Sequence, residues 1–371
     1  MTNVGHGAPS ARLHSIDGLR SLAVALVLVH HLTGGGIARL LMKRGHEVVA
    51  FCVSSLGTSG VELFFVLSGV VLARPHLEGQ RPFHALAYLR RRVSRLFPPY
   101  LAAWAVTGAA YYIAPWAIPF TTGDWFLQLG IVRFGFHYSW AWWSLTVEVL
   151  FYLLVPLLIP ALLWLPRRLD VALCLLATSI AIAALSIRFV EASAGIPIEL
   201  SSLGVYAPCF TAGLLLARVE FPRSLAYASC ALGALLLCTA LLLPVASVPQ
   251  HTAYGLIYLG LVSRSLDATS RATRALSHWH LVWLGERSYS LFLIHCAAML
   301  VVGRIEQLFW PPKGVLFHLV AVLANAALSL FAAMVLFSTV ERKFARGLAT
   351  ADFFWPWHEH EHERALFAEG R

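Results

Sequence analysis

Long apolar runs separated by short polar segments dominate this chain. About 20 consecutive apolar residues suffice to cross a bilayer as a helix, and ten runs approach or exceed that length. The pattern therefore predicts an all-α, polytopic membrane protein with about ten transmembrane helices. The predicted spans cover residues 20–36, 54–73, 97–115, 141–165, 170–190, 201–217, 225–244, 252–264, 280–302 and 315–339. The first and the eighth are short or interrupted, as expected of a broken or tilted helix.

Composition and basic residues support this prediction. Of 371 residues, 58% are hydrophobic and only 13% are charged, with a mean hydropathy of +0.71. With the N-terminus placed in the cytoplasm, most of the 28 lysines and arginines fall on the cytoplasmic side, as the positive-inside rule requires. The exceptions are Arg39, Lys43, Arg44, Arg133, Arg188, Arg304 and Lys313. We therefore expect a multi-pass protein of the cell membrane with both termini cytoplasmic, and the net charge of +9 reflects topology, not nucleic-acid binding.

The chain divides simply along its length. Residues 1–345 form the predicted transmembrane domain, and residues 346–371 form a short cytoplasmic tail. No cleaved signal peptide is expected, because residues 1–19 lack an apolar core and a small-residue cleavage site. The tail contains His-Glu-x-x-His at residues 358–362, but zinc peptidases need that motif on a helix inside a domain. We expect a solvated tail and no metal centre.

Two ionisable residues stand on one face of the first predicted helix. Arg20 and His31 are eleven residues apart, about three turns and ~16 Å along the axis. Arg20 is thus predicted near the membrane surface, with His31 inside the apolar layer. A histidine placed there indicates a functional site, although it would also fit an interior residue bonded to a backbone carbonyl.

Two carboxylates lie within other spans. Glu62, in the second span, needs a proton or a partner if it is buried; it would either pair with an arginine or histidine or help to build a polar site. Glu148 and Ser144 are four residues apart on one face of the fourth span. Trp143 belongs to a predicted interfacial belt with Trp140 and Trp142. This end of the span is predicted to be external, which places Glu148 opposite the cytoplasmic arginines.

Four arginines lie within six residues after the second span, at positions 90–92 and 95. Arg91, Arg92 and Arg95 lie close together on a helix, and apolar neighbours predict that this helix floats at the membrane interface. The cluster could serve as a positive-inside anchor. Its density favours a clamp for a phosphorylated cytosolic ligand, because guanidinium groups bind phosphate in bidentate fashion.

The ninth span carries Tyr289 and His295, which do not share a face of a regular helix. A single membrane histidine is commonly a satisfied packing residue, so Tyr289 and His295 are at most acceptor-binding or supporting residues.

Five segments in this order resemble the membrane-bound acyltransferase-3 family, which includes O-acetylases of surface polysaccharides and macrolide acyltransferases. They are DGLRSLAVALVLVHH, GTSGVELFFVLSG, RRVSRLFPPY, WSLTVEVLFY and LGERSYSLFLIH, and the resemblance extends from residue 12 to about residue 340. The second segment has Glu62 where the family commonly has aspartate. The fourth often has two adjacent acids in the family, and only Glu148 is present here.

The resemblance implies a ten-helix domain that takes acyl groups, commonly acetyl, from cytosolic acyl-CoA, with no tightly bound cofactor. The family's arginine–x10–histidine pattern falls on Arg20 and His31, which implies a catalytic His31. Its RRxxR element falls on Arg91, Arg92 and Arg95, which with Arg20 would bind the acyl-CoA.

We therefore expect His31 to act as general base on a hydroxyl of a carbohydrate, macrolide or lipid-linked acceptor in the cell envelope, with Glu62 or Glu148 as an orienting catalytic residue. Ser144 and Trp143 are possible acceptor contacts. Direct transfer and transfer through an acyl-histidine remain open. The alternatives are a proton-coupled transporter or flippase that uses the intramembrane histidines and glutamates, and a scaffold or sensor without catalysis.

Overall fold

The computed structural model describes residues 9–32, 41–78, 82–114, 121–132, 139–192, 198–242, 248–309 and 314–345. Regular structure in these segments is entirely helical. The helices are α1 (Pro9–Leu32), α2 (Glu47–Thr58), α3 (Gly60–Leu77), α4 (Ala85–Ile113), α5 (Thr122–Leu127), α6 (Trp143–Trp164), α7 (Leu169–Ala192), α8 (Ile198–Val205), α9 (Ala207–Leu216), α10 (Arg223–Leu242), α11 (Val248–Leu266), α12 (Arg271–Leu276), α13 (Trp279–Glu286), α14 (Ser288–Phe309) and α15 (Gly314–Leu336). A π-helical turn, Phe337–Glu341, follows α15.

Each of the ten predicted spans overlaps helix in the described structure, which confirms the all-α class. Within the described residues, six helical segments are long and apolar enough to cross a membrane. These are His14–Leu32, Glu47–Leu77, Trp143–Trp164, Leu169–Ser186, Ser288–Leu308 and Leu319–Ala345. Ten crossings and the cytoplasmic position of both termini stay predictions, and residues 346–371, including the histidine-rich tail, lie outside the described segments.

Three predicted spans are interrupted in the described structure: the second at Ser59, the sixth between α8 and α9, and the ninth between α13 and α14, whereas the eighth and the described part of the first are continuous. Ser59 separates α2 from α3, with its hydroxyl 2.7 Å from the carbonyl oxygen of Leu56 and 2.6 Å from the Tyr258 hydroxyl. Serine side chains that bond to nearby carbonyls compete with the regular helical ladder, which accounts for the break. In contrast, α11 is continuous over Val248–Leu266. The break places Glu62 in the first turn of α3.

The arginine-rich segment does not form a separate interfacial helix. It continues without a break into the third predicted span, so that both belong to α4. Leu89 and Leu96 pack against the buried apolar clusters. Leu86 is exposed, so only part of the apolar face contacts other helices, and Arg92 and Arg95 enter the bundle.

The depth of Arg20 in the membrane stays a prediction. Its guanidinium is 3.7 Å from the Asp17 carboxylate, one turn earlier, which offsets part of the cost of burying the two charges.

The predicted tryptophan belt is correct only in part. Trp140 is exposed, but Trp142 is 1% exposed, and its indole Nε1 donates a hydrogen bond of 3.2 Å to the carbonyl oxygen of Leu293. Trp143 is half-buried, with its ring 5.8 Å from that of Tyr206. Trp142 and Trp143 therefore join α6 to neighbouring helices.

Two glycines allow α3 and α9 to touch through their backbones. A Cβ atom at Gly213 would lie 2.1 Å from the carbonyl oxygen of Val66, and one at Gly69 would lie 2.5 Å from that of Phe210. Close approach through small residues is typical of membrane helices. This contact holds α3, and with it Glu62 and Ser68, in place.

We predict that Gly213→Ala lowers the free energy of unfolding by about 1–3 kcal/mol, the usual cost of overpacking a close contact. Thermal unfolding of the detergent-solubilised protein measures this loss. Gly123→Ala is the matched control, because a Cβ there would meet only the Thr121 hydroxyl oxygen at an ordinary 3.5 Å. Equal melting temperatures for the two variants would contradict the proposed role of the contact.

Candidate active site

A cavity of about 90 Å³ lies inside the bundle, between α1, α3, α4, α6 and α14. We call it the central cavity. Its charged lining consists of Arg20, Arg92, Arg95 and Glu148. Three cations and one carboxylate give its lining a positive balance, which favours an anionic ligand. Arg91 does not line it.

The central cavity corrects the prediction that Glu148 lies on the opposite side from the arginines. The continuous helix α4 carries Arg92 and Arg95 into the bundle, where they line the same space as Glu148. Ser144, one turn before Glu148 on α6, lines the cavity as well, which confirms that the two residues share a face.

Hydroxyl groups hold the Glu148 carboxylate. Its Oε1 accepts a hydrogen bond of 2.7 Å from Ser68 on α3 and a short one from Tyr152, one turn further along α6. The Ser144 hydroxyl bonds instead to the carbonyl oxygen of Ala141, at 3.1 Å. Glu148 therefore links α6 to α3, and its hydrogen bonds do not extend to His31.

Arg92 has an unused donor facing this environment. Its guanidinium lies 5.6 Å from the centre of the Tyr88 ring and 5.9 Å from that of Tyr152. Its Nε is buried and has no hydrogen-bond partner among the described residues. Because a buried unsatisfied donor is costly, this nitrogen is a candidate contact for a ligand.

Tyr289 and Glu341 lie near the arginines of the cavity, and the sequence did not indicate Glu341. Tyr289 lines the cavity and donates a hydrogen bond of 3.0 Å to the carbonyl oxygen of Leu96. Glu341 is buried in the π-helical turn and accepts a hydrogen bond of 2.5 Å from Ser290. It interacts electrostatically with Arg20 and Arg95. The only sequence signal was an acid at the end of the last apolar run.

The second part of the site is a pair of histidines, His31 and His295, with ring centres 5.0 Å apart. His295 Nδ1 lies 2.9 Å from the carbonyl oxygen of Phe292, and His31 Nδ1 lies 3.0 Å from that of Val27. A carbonyl can only accept, so both Nδ1 atoms carry protons. His295 Nε2 is then an acceptor, 3.2 Å from His31 Nδ1.

This network fixes the tautomer of His31. With its proton held on Nδ1 between Val27 and His295, neutral His31 keeps a lone pair on Nε2, as a general base requires. The expectation of a carbonyl-bonded histidine is confirmed, and it is compatible with catalysis. His295 supplies the orienting contact that the sequence assigned to Glu62 or Glu148.

The histidine pair and the central cavity meet at an aromatic side chain. His31 does not line the cavity, whereas Phe64 and Phe292 do. The rings of Phe64 and Phe292 are in edge contact, 6.1 Å apart, and Phe292 lies 6.1 Å from His295. Phe292 thus contacts both parts of the site.

Glu62 belongs to a different cluster. It is 1% exposed, and its Oε1 lies 2.8 Å from His251 Nδ1 on α11. The expected pairing with a histidine is confirmed. The sequence missed His251 itself, because it immediately precedes the predicted eighth span and carries no motif.

Comparison with known proteins identifies the family. A family model described as an acyltransferase domain matches residues 13–340, a range that includes every predicted site residue. The chain therefore belongs to the membrane-bound acyltransferase-3 family. BcsY of Komagataeibacter xylinus, a protein named as a membrane-bound transacylase, is 28% identical over 169 residues. That similarity spans 40% of this chain and 37% of BcsY. No solved structure matches the chain.

We predict that Glu148→Leu destabilises the protein, because it leaves the hydroxyls of Ser68 and Tyr152 without their acceptor. The expected loss is about 1–3 kcal/mol for each group left unpaired. Thermal unfolding in detergent measures it. Ser144→Ala removes a polar group from the same helix face without touching this network, and we expect it to unfold near the wild-type temperature. Unchanged stability of Glu148→Leu would contradict the network.

Proposed function

We propose that the protein transfers an acyl group, acetyl by analogy with its family, from cytosolic acyl-CoA to a hydroxyl of a carbohydrate, macrolide or lipid-linked acceptor, with His31 as the base. The observation that carries the proposal is the fixed tautomer of His31 on the same helix as Arg20. Because α1 is continuous, the two residues are ~16 Å apart along its axis.

The central cavity supports the donor half of the proposal. Arg20, Arg92 and Arg95 would bind the phosphates of acyl-CoA, and the buried Nε of Arg92 offers one donor for them. The pantetheine arm of acyl-CoA would extend along α1 toward His31. At about 90 Å³ the cavity is below the ~300 Å³ of typical ligand pockets. The donor would therefore enter as the helices separate.

The chemistry uses the lone pair on His31 Nε2. The imidazole would take the proton of the acceptor hydroxyl as the oxygen attacks the thioester carbonyl. The carbon–sulfur bond then breaks, and the departing CoA thiolate recovers the proton from the imidazolium. In the two-step alternative, Nε2 attacks the thioester carbon, the carbon–sulfur bond breaks, and CoA leaves as the thiolate. The acceptor hydroxyl then attacks the acyl-histidine, the acyl–nitrogen bond breaks, and the hydroxyl proton passes to the CoA thiolate. Both routes give one acyl ester and free CoA.

His295 would act as a positioning residue in either route. If the His295 Nε2 acceptor is removed, His31 Nδ1–H keeps only its hydrogen bond to the Val27 carbonyl oxygen, and the His31 imidazole can rotate. Glu148 would hold the Ser68 and Tyr152 hydroxyls and balance the positive charge of the cavity. If His295 and Glu148 served only packing, acyl transfer would need neither the orienting acceptor of His295 nor the negative charge of Glu148.

A proton-coupled transporter is the second candidate, and the Glu62–His251 pair favours it. A buried carboxylate and a part-exposed histidine 2.8 Å apart can exchange a proton within the membrane. The Glu62–His251 pair is separate from the central cavity. A transporter would move its substrate without consuming acyl-CoA, so release of CoA by the purified protein separates the two functions.

We predict that His31→Ala lowers acyl transfer by about 10²–10⁴-fold, the usual contribution of a general base. The assay follows release of free CoA from acetyl-CoA by proteoliposomes supplied with an extract of envelope glycans and lipids. Binding of CoA to the variant should be unchanged. A folded His31→Ala protein that transfers acyl groups at the wild-type rate would remove the base assignment.

The His295 variants test positioning. We expect His295→Leu to slow acyl transfer about tenfold or more, the effect of losing roughly 1.4 kcal/mol of one hydrogen bond. His295→Gln should recover part of the rate, because its amide oxygen can accept from His31 Nδ1–H. The pH profile of kcat should change in His295→Leu and return toward wild type in His295→Gln. Identical profiles and rates for both would indicate packing alone.

We predict that the double change Arg92→Gln/Arg95→Gln raises the KM for acetyl-CoA about tenfold or more, because charge-assisted hydrogen bonds contribute roughly 1.5–3 kcal/mol each. Arg90→Gln is the control, since Arg90 is an exposed arginine on the same helix that does not line the cavity. An unchanged KM in the double variant would exclude these residues as the clamp.

A further inference from the structure

A second cavity, of about 560 Å³, shares no lining residue with the central cavity. It lies among the end of α3, the α6–α7 and α9–α10 connections and the end of α11. Its lining includes five arginines: Arg74, Arg167, Arg218, Arg223 and Arg264. The charge pattern of the sequence predicts that all five face the cytoplasm.

Two carboxylates pair with three of these arginines. Arg74 pairs with Glu78 at 2.7 Å, and Asp267 lies 2.9 Å from Arg264 and 3.4 Å from Arg223. A hydrogen bond from the Thr269 side chain, with further help from Arg264, lowers the pKa of Asp267 to about 2. Asp267 is therefore ionised at neutral pH.

The other two arginines are held by backbone instead. Arg167 donates to the carbonyl oxygen of Leu77, the last residue of α3, and Arg218 donates to that of Leu165, just after α6. Neither pairs with a carboxylate in the described part of the chain. Both side chains line this cavity, and burial together with the Arg167 charge lowers the pKa of Arg218.

Two like charges fixed by helix ends beside a roomy cavity form a built anion site. A guanidinium presents five donors, so a carbonyl bond leaves donors for a phosphate oxygen. Leu216, Val219 and Phe221 form an apolar wall beside the charges. The site therefore suits a ligand whose phosphate binds the two guanidinium groups and whose neighbouring apolar group packs against this wall.

We propose that this second cavity binds a phosphate group through Arg167 and Arg218, supplied either by an anionic phospholipid of the inner leaflet or by the adenosine 3′-phosphate of acyl-CoA, in which case the central cavity holds the diphosphate of the same molecule. The lipid source is independent of the proposed function, whereas the nucleotide source rests on it. The two sources share one chemistry, and the experiment below separates them.

The first arm measures retention of phosphatidylglycerol. The full chain is purified in detergent, exposed to phosphatidylglycerol, and the bound lipid is counted by native mass spectrometry. If lipid is the ligand, Arg167→Gln/Arg218→Gln should retain about tenfold less, the effect of losing ~1.4 kcal/mol of binding free energy. Arg168→Gln should retain the wild-type amount, since Arg168 is exposed, pairs with Asp170 and does not line the cavity.

The second arm titrates adenosine 3′,5′-bisphosphate into the protein in phosphatidylcholine nanodiscs by calorimetry. If the nucleotide is the ligand, the double variant should weaken binding about tenfold while Arg168→Gln does not. His31→Ala should bind both probes normally, so a failed base assignment leaves this test intact. Losses in both arms would support a site that accepts either phosphate source.

Two further variants guard against a folding defect, because both arginines also hold helix ends. Arg167→Lys/Arg218→Lys keeps the charge, and we expect it to retain most of the binding. Val219→Trp fills the cavity without removing an arginine, and we expect it to lose binding while the protein melts near the wild-type temperature. Unchanged lipid retention and unchanged nucleotide affinity in folded Arg167→Gln/Arg218→Gln and Val219→Trp proteins would overturn the proposal.

Discussion

The buried carboxylates and histidines of this bundle need polar partners, because a lone charge in an apolar medium costs several kcal/mol. This requirement determines which helices meet. Glu62 joins α3 to α11 through His251, and Glu148 joins α6 to α3 through Ser68. His31 joins α1 to α14 through His295. Most of these contacts link helices that are distant in the sequence, so the polar groups specify the bundle as well as its chemistry.

The same requirement explains what the sequence could predict. Helical periodicity fixes which residues of one helix share a face, and on that basis it placed Arg20 with His31 and Ser144 with Glu148. It also predicted that Glu62 would need a histidine or arginine. Periodicity carries no information about which faces of two distant helices meet. His31 and His295 are 264 residues apart, and nothing local connects them.

Two incorrect predictions, the separate arginine helix and the distant Glu148, share one cause, which is that a topology drawn from charge assumes that arginines stay outside the bundle. The charged start of α4 was predicted as a surface helix, because four arginines in six residues normally lie outside the apolar layer. In the structure, the central cavity receives two of these four arginines, Arg92 and Arg95, with Arg92 placed between the rings of Tyr88 and Tyr152. The topology argument then placed Glu148 far from arginines that line the same cavity. Glu341 escaped notice because the π-helical turn that buries it leaves no periodic signal.

The distance between the arginines and the histidine pair constrains any acyl transfer in this bundle. Since α1 is a continuous helix, Arg20 and His31 cannot approach each other along it, and on the proposed route the pantetheine arm of acyl-CoA must span that distance. The arm leaves the central cavity past Phe64 and Phe292, two of the aromatic residues that line it, the second of which contacts His295. Phe292 is 6% exposed, whereas Phe64 is only half-buried and has more room to change rotamer. Phe64 is therefore the side chain whose movement would most directly connect the two halves of the site. A closed arrangement would also keep water from the thioester until an acceptor arrives.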